Sequence, residues 1–173
     1  CPLHGPVLTE NLDYYIDKYQ TWSSYEPEDK GIFIAHASIY GNTAKAAEKL
    51  KEILEEAGEE KVVIADLCHE DMHEAVEDAF RYDRVVLAAA SYDGGVFPPM
   101  AEFLHHLKMK NYQKRTVALM ENGSWGPTAG RVMKAELEGM KSMEIMESVI
   151  TIKSAMKPEN VEQMKELAKL LVK

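Results

Sequence analysis

The chain has 173 residues, 46% of them apolar, and a formal net charge of −9. This length fits one domain with a sizeable core, and the negative charge disfavours nucleic acid and anionic membranes as partners. No apolar run approaches the ~20 residues of a membrane helix, and the two cysteines, Cys1 and Cys68, make no disulfide framework, so we expect a reducing, cytoplasmic setting.

Strand and helix patterns alternate from Gly31 onward. Short apolar runs predict strands at 32–37, 61–67, 84–90, 115–120 and within 144–153. Apolar residues at helical spacing predict helices at 42–57, 71–80, from Pro98 onward, at 127–140 and at 158–172. Because the strands read as continuous apolar runs, helices should cover both faces of a doubly wound parallel α/β sheet.

Residues 1–30 stand apart from this pattern. Thr9 is predicted to cap a short helix that carries Leu12, Tyr15, Ile16 and Tyr19. Residues 26–30 are predicted to form an exposed linker. We therefore divide the chain into an appendage, 1–30, and a domain, 31–173. Because the chain begins with Cys1 and not with Met, we expect it to be a fragment of a longer protein.

The loop at residues 38–43 has the features of a phosphate cradle. It leaves a predicted strand and enters a predicted helix, Gly41 lets the backbone approach a ligand, and Ser38 and Thr43 add hydroxyl groups. The first N–H groups of a helix and its dipole favour an anion. An ordinary capped turn is the alternative interpretation of this loop on its own.

Two further loops follow the third and fourth predicted strands. Residues 91–99 place two glycines before two prolines, with Tyr92 and Phe97 able to flank an aromatic ring. Residues 121–128 carry Trp125 between glycines, which favours a stacking platform, with core burial as the alternative. In a doubly wound sheet these loops share one edge. Together they suit a ligand with a phosphate at one end and a planar ring at the other.

Several other functions lack their residues. There is no G-x-x-x-x-G-K-[ST] and no G-x-G-x-x-G, which disfavours a nucleotide triphosphatase and a dinucleotide site. A phospho-receiver needs an acidic residue where the third predicted strand ends in alanines and Ser91. The H-E-x-x-H at 69–73 does not indicate zinc, because Asp71 is the predicted helix cap and leaves His69 in the preceding loop.

These loops resemble known ones. The S-x-Y-G-N-T at 38–43 resembles the flavodoxin phosphate motif, and 92–100 and 121–125 resemble the two isoalloxazine loops of flavodiiron proteins, also called A-type flavoproteins. The resemblance covers 31–173 and implies a flavodoxin-like five-stranded parallel sheet in the order 2-1-3-4-5 that binds FMN. It implies that the phosphate contacts are Ser38, Ile39, Tyr40, Gly41, Asn42 and Thr43, and that the ring contacts are Ser91, Tyr92, Asp93, Gly94, Gly95, Asn122, Gly123, Ser124 and Trp125.

The resemblance also implies a parent enzyme. Cys1-Pro2-Leu3-His4 is similar to the end of the metallo-β-lactamase-like domain that precedes the flavodoxin domain in that family, where His4 matches the last di-iron ligand. The implied parent is a head-to-tail homodimer that takes electrons from rubredoxin or a similar donor and reduces O2 or NO. The other iron ligands are absent from this chain, which would carry the electron-transfer half alone. A free-standing flavodoxin or an FMN-dependent quinone reductase is the alternative.

Overall fold

The fold is built on one twisted parallel sheet. A computed structural model describes residues 3–172. The strands are Asp29–Ala37 (β1), Val62–Asp66 (β2), Tyr82–Tyr92 (β3), Gly95–Val96 (β4), Thr116–Asn122 (β5) and Glu144–Ile152 (β6). The parallel strands lie in the order β2-β1-β3-β5-β6, and β4 pairs with the end of β3 in the antiparallel direction. Counting the parallel strands alone, this confirms the expected 2-1-3-4-5 order of a flavodoxin-like sheet.

Helices cover both faces of the sheet, as predicted. They are Leu12–Ser23 (α1), Asn42–Glu56 (α2), Met72–Arg81 (α3), Pro98–Met109 (α4), Ala129–Glu138 (α5) and Pro158–Leu171 (α6). Successive residues of a strand face opposite sides, so Ile34 packs with α2 and α6 while Phe33 packs with α3, α4 and α5. The two apolar cores hold the sheet rigid from both sides, which fixes where its loops emerge.

The helix boundaries follow local chemistry. The carboxylate of Asp71 accepts a hydrogen bond from the His73 N–H at 2.7 Å and caps α3, which confirms the predicted cap. Gly58, just past α2, has a φ of 101° in the left-handed region that ends many helices. The helix predicted at 127–140 is shorter in the structure, because hydrogen bonds from Thr128 to Ser91 and Gly95 hold the chain before Ala129 in a loop.

The predicted cap of the first helix is wrong. Helix α1 begins after Asn11, which has a φ of 53° and makes no side-chain cap, so Thr9 lies outside the helix start. No residue of α1 is buried. The helix is therefore joined to the rest of the molecule through the segment that follows it and not through a core face of its own.

The segment at 24–30 is docked more closely than an exposed linker would be. Arg115 is only 2% exposed and donates from its guanidinium to the backbone carbonyls of Tyr25, at 2.8 Å, and Phe80, at 2.5 Å. Lys114 donates to the Ser24 carbonyl at 3.0 Å. Strand β1 already begins at Asp29. The division of the chain at residue 30 stays a prediction, but the residues before it contact the sheet domain directly.

We expect Arg115→Met to loosen this attachment. The substitution leaves partly buried carbonyl oxygens without donors, which should lower the free energy of unfolding by about 2–4 kcal/mol. Urea unfolding measures the loss, and limited proteolysis should show faster cleavage around Tyr25. The exposed Arg131→Met is the matched control and should change neither. Equal stability of the two variants would mean that the segment is held by something other than the guanidinium.

Candidate functional site

The predicted loops meet at the carboxyl edge of the sheet. A cleft of about 190 Å³ lies there, and an adjoining cleft of about 300 Å³ shares three of its residues. The first is lined by Ser38, Ile39, Tyr40, Asn42, Thr43, Ala90, Ser91, Asn122, Gly123, Ser124 and Ser154. The second is lined by Ser91, Tyr92, Asp93, Gly94, Gly123, Ser124, Trp125, Gly126 and Thr128. The structure thus brings together all the predicted contact residues except Gly41 and Gly95, which line neither cleft.

The loop at 38–43, which we call the first loop, presents uncharged hydrogen-bond donors to the first cleft. Gly41 precedes α2 with a φ of 83°, and nothing lies within 4 Å of where a Cβ would stand, so the backbone angle and not space favours glycine. The Lys45 N–H is bonded to the Gly41 carbonyl at 2.9 Å, while the helical N–H groups before it have no acceptor inside the helix. Such an end attracts an anion.

The hydroxyl of Ser38 strengthens this interpretation. Its Oγ is buried and has no hydrogen-bond partner within residues 3–172, and Ser38 itself lines the first cleft. A buried polar atom without a partner costs free energy that a ligand oxygen would recover. None of the residues that line this cleft carries a charge. The arrangement suits a phosphate bound by N–H and O–H groups.

The second loop is a tight β-hairpin and not a plain turn. Ser91 and Tyr92 pair with Val96 and Gly95 across a two-residue connection. Both connecting residues have positive φ angles, 47° at Asp93 and 71° at Gly94, as a type I′ turn requires. The Asp-Gly pair is the sequence signal that predicts such a turn. The hairpin places Gly95 in a strand behind the cleft, which explains why this residue does not line it.

The side chain of Ser91 joins the second loop to the third. Its Oγ accepts hydrogen bonds from the N–H groups of Thr128 at 2.8 Å and Ala129 at 3.2 Å, and Thr128 Oγ1 donates to the Gly95 carbonyl at 2.8 Å. A Cβ on Gly123 would lie 2.9 Å from Pro127 Cα, so only glycine fits between these loops. Ser91 therefore fixes the wall of the cleft and keeps only its own O–H for a ligand.

The loop at 121–128, the third loop, is held by the turn at Ser154, which was not predicted from the sequence. The Asn122 amide donates to the Ser154 carbonyl at 2.9 Å and accepts from the Ser154 N–H at 3.2 Å. The hydroxyl groups of Ser124 and Ser154 lie 2.8 Å apart. Ser154 follows β6, and a ligand site at the carboxyl ends of the strands would predict it. The sequence pattern located that strand only to within residues 144–153, which hid its loop.

Aromatic side chains rim the clefts. Trp125 is 99% exposed, which excludes the alternative of core burial, and Tyr40 is 90% exposed. Tyr92 is partly exposed and contacts Phe97, with ring centroids 5.8 Å apart. Phe97 is therefore packed behind Tyr92 and lines neither cleft. Two large exposed aromatic rings beside a polar cleft form a surface on which a flat ligand can stack.

A buried histidine lies beneath the first loop. His36 is 4% exposed, and its Nδ1 has no hydrogen-bond partner in the described chain, although Asp66 Oδ1 is 3.9 Å away. Burial lowers the pKa of His36 below its ordinary value, and the nearby carboxylates of Asp66, Glu48 and Glu70 oppose that shift only in part. His36 is therefore held neutral near pH 7.

The carboxylate of Asp66 links the ends of β1 and β2. Its Oδ1 accepts from the Cys68 N–H at 2.9 Å and its Oδ2 lies 2.8 Å from His69 Nδ1. Burial raises the pKa of Asp66, but the hydrogen bonds from His69 and Cys68 outweigh it and leave the pKa below its ordinary value. Cys68 Sγ lies 3.8 Å from the Ser38 carbonyl, so this turn also supports the first loop.

The histidines considered as metal ligands, His4 and His69, belong to no metal site within the described residues. His4 is exposed, and Cys1 and Pro2 of the same motif lie outside the described residues. No three His, Cys, Asp or Glu side chains within residues 3–172 are placed to hold a metal ion. His69 lies in the loop before α3, as predicted from the Asp71 cap.

Within residues 3–172, no helix has the length and apolar character needed to cross a membrane.

Comparison with known families identifies the fold. The family model described as a flavodoxin domain matches residues 33–143. The chain belongs to this family of flavodoxin domains. The match covers the first loop, the hairpin and the third loop, whereas Ser154, which also lines the first cleft, lies beyond the matched residues.

Longer proteins resemble this flavodoxin domain over nearly its whole length. The uncharacterized protein MJ0732 of Methanocaldococcus jannaschii is 24% identical over 99% of the chain, and the chain spans less than half the length of the curated relatives it matches. The rubredoxin oxygen:oxidoreductase of Desulfovibrio gigas matches 92% of the chain at a TM-score of 0.82 and 19% identity, over 39% of its own chain. The flavodiiron protein of Giardia intestinalis matches 95% of the chain at a TM-score of 0.82 and 18% sequence identity, and the match covers 41% of that protein's own chain.

The buried histidine of this flavodoxin domain makes its stability depend on pH. Because the pKa of His36 is lower in the folded state, the unfolded chain takes up its proton first as pH falls below 6.5, and folding stability should fall with it. We expect His36→Phe to flatten the loss of stability between about pH 7 and 5, measured by urea unfolding. The exposed His105→Phe is the control and should keep the wild-type profile. A wild-type profile in His36→Phe would contradict the assignment.

Proposed function

We propose that this flavodoxin domain binds FMN in the two joined clefts and carries electrons as part of a flavodiiron oxidoreductase in the cytoplasm. The observation that supports it most directly is the pairing of a neutral phosphate cradle with an aromatic rim. At one end, the N-terminus of α2 and the unpartnered Ser38 hydroxyl suit a phosphate. At the other, Trp125 stands exposed beside the Asp93–Gly94 hairpin.

In this proposal each loop has one task. The loop at 38–43 holds the phosphate, with Gly41 setting the backbone direction although it does not line the cleft. The hairpin at 91–95 and the loop at 122–125 hold the ring from two sides, mainly through backbone atoms, because the side chains of Ser91 and Asn122 are already engaged with the neighbouring loops.

Bound FMN would supply the chemistry, because it accepts and releases one or two electrons. The chain would position the flavin and leave its ring accessible to another molecule. Its fixed loops would hold the ring, and the side chains of Tyr40 and Trp125 at the edge of the clefts are exposed to an approaching molecule. No residue of the clefts needs to act as an acid or a base.

The proposed parent protein supplies the rest of the reaction. The chain covers about two fifths of the solved oxidoreductases that it resembles, one of which is named for rubredoxin and oxygen. We propose that rubredoxin or a similar donor reduces the domain, and that electrons pass to a di-iron centre in the preceding domain, with His4 as one ligand and O2 or NO as acceptor. A head-to-tail dimer would bring the rim against that centre in the partner.

The extent of the structural match favours this parent over a free-standing flavodoxin or a quinone reductase. The matches to the two oxidoreductases cover 92% and 95% of the chain, which residues 31–173 alone cannot fill. The likeness therefore includes part of the N-terminal segment. In a free-standing flavodoxin, the exposed helix α1 would have no partner to approach.

Substitution at two glycines tests the phosphate cradle. Gly41 and Gly58 both have positive φ angles and open space around them, at opposite ends of α2, so alanine at either position should cost about 1 kcal/mol of stability. Only Gly41→Ala should turn the N–H groups of the cradle away, which we expect to weaken FMN binding about tenfold. Gly58→Ala should bind FMN as the wild type does.

The measurement is quenching of flavin fluorescence on titration, with riboflavin as a second ligand that lacks the phosphate. We expect riboflavin binding to differ little between the two variants. If the folded wild-type protein binds no FMN, the proposed function fails. If both variants bind FMN equally well, the phosphate lies elsewhere.

Anaerobic mixing tests the electron-transfer role. Reduced rubredoxin should bleach the visible flavin absorbance of the FMN-loaded chain, while the loaded chain alone should consume NO no faster than buffer. The chain without FMN is the control and should leave rubredoxin reduced. Failure to bleach would contradict the proposed donor, and steady NO consumption by this chain would contradict the need for the di-iron domain.

A further inference from the structure

We propose that the turn after β6, centred on Ser154, is a fourth part of the flavin site and binds the polyhydroxy chain that joins the ring to the phosphate. This inference rests on the proposed function, since it concerns the same clefts. The three loops assigned from the sequence leave one side of the first cleft to be closed. Ser154 closes that side and contacts the third loop.

The position of Ser154 in the cleft indicates which part of the ligand it meets. Ser154 lines the cleft that contains the first loop, with Ser38 and Thr43. It does not line the adjoining cleft, where Trp125 and the Asp93–Gly94 hairpin lie. Ser124 belongs to both clefts. The pair of hydroxyl groups therefore lies between the phosphate end and the ring end, where a flavin carries its hydroxyl groups.

The hydroxyl pair has hydrogen-bonding capacity to spare. Ser124 Oγ and Ser154 Oγ lie 2.8 Å apart, and one of the two O–H groups is enough to make that bond. The second O–H and the remaining lone pairs are free for a ligand that both donates and accepts, as an alcohol does. A bare phosphate would use only the donor.

Backbone strain shows that Ser154 is held in place by its neighbours. Its φ is 65°, a left-handed angle that is uncommon for a residue with a side chain. The Asn122 amide bonds both the N–H and the carbonyl of Ser154, so two hydrogen bonds keep the turn in this conformation. The same bonds set the position of Gly123 and Ser124. Ser154 is thus both a binding residue and a positioning residue for the third loop.

The Ser154→Gly variant distinguishes the contribution of the Ser154 side chain from that of its backbone. Glycine adopts a φ of 65° without strain and keeps both backbone bonds to Asn122, so the variant loses only the hydroxymethyl side chain. Ser142 also has a positive φ, 53°, and lies before β6, at the opposite end of that strand from Ser154. Ser142→Gly is therefore the matched control. Both variants should raise the urea midpoint slightly, because both relieve strain.

Binding of three flavins to the full chain is then compared by fluorescence quenching: FMN, riboflavin, and lumiflavin, which carries neither the polyhydroxy chain nor the phosphate. We expect Ser154→Gly to weaken the binding of FMN and of riboflavin by about fivefold each and to leave the binding of lumiflavin unchanged. Ser142→Gly should match the wild type for all three.

Each other result overturns a stated part of the inference. If the wild type binds FMN and Ser154→Gly binds it equally well, the turn after β6 is no part of the site, while the proposed function stands. If only FMN is weakened, Ser154 contacts the phosphate and not the polyhydroxy chain. If lumiflavin is weakened equally, the contact is with the ring. Absence of FMN binding in the wild type would remove the proposed function and this inference together.

Discussion

The candidate site exists because parallel strands end in the same row. The register pairs Ala37 of β1 with Ala89 of β3, and Ala90 of β3 with Asn122 of β5. The chain therefore leaves β1 and β5 at the same level on either side of β3, while β3 runs on to Tyr92 as half of a hairpin. Both apolar cores pack against these strands, so the row cannot shift without exposing one of them. Every contact of the clefts depends on this alignment.

Side chains at the edge hold the loops to one another more than they reach into the clefts. Ser91 accepts from two N–H groups at the start of α5, and Asn122 bonds both backbone groups of Ser154. The cleft is then left with backbone N–H groups, hydroxyl groups and exposed aromatic rings. This division of labour explains how a chain of net charge −9 can offer a site for an anion. The attraction comes from oriented dipoles at the start of α2 and needs no cation in the cleft.

The sequence predicted the layers of the fold well, because its strongest signal is the burial of whole strands. The continuous apolar run at 84–90 and the helical spacing at 42–57 each have one physical interpretation, and the structure confirms both. Three of the loops could be found because glycine and proline interrupt those patterns. Their residues meet in the clefts, apart from Gly41 and Gly95. Whether they bind a flavin stays a prediction.

The features that the sequence did not reveal depend on long-range pairing. Thr9 has the right chemistry for a cap, but the chain enters α1 through a left-handed Asn11, and α1 buries nothing that would fix its start. The docking of residues 24–26 relies on Arg115, which lies 90 positions from Tyr25 along the chain. Ser154 has no glycine or proline beside it to mark a turn, and its left-handed angle is imposed by Asn122, 32 positions earlier. The sequence around Tyr25 or Ser154 does not indicate these distant hydrogen-bond partners.

Strain at the rim follows from the same long-range pairing. Gly41, Asp93, Gly94 and Ser154 all have positive φ angles and all lie at the carboxyl edge of the sheet. Two are glycines and meet little resistance, whereas Asp93 and Ser154 must be held, the first by the β3–β4 pairing and the second by Asn122. A turn that relaxed would move its backbone groups away from the cleft. The rigid sheet is therefore what allows the edge to keep an unfavourable backbone shape, and that shape is what gives the clefts their donors.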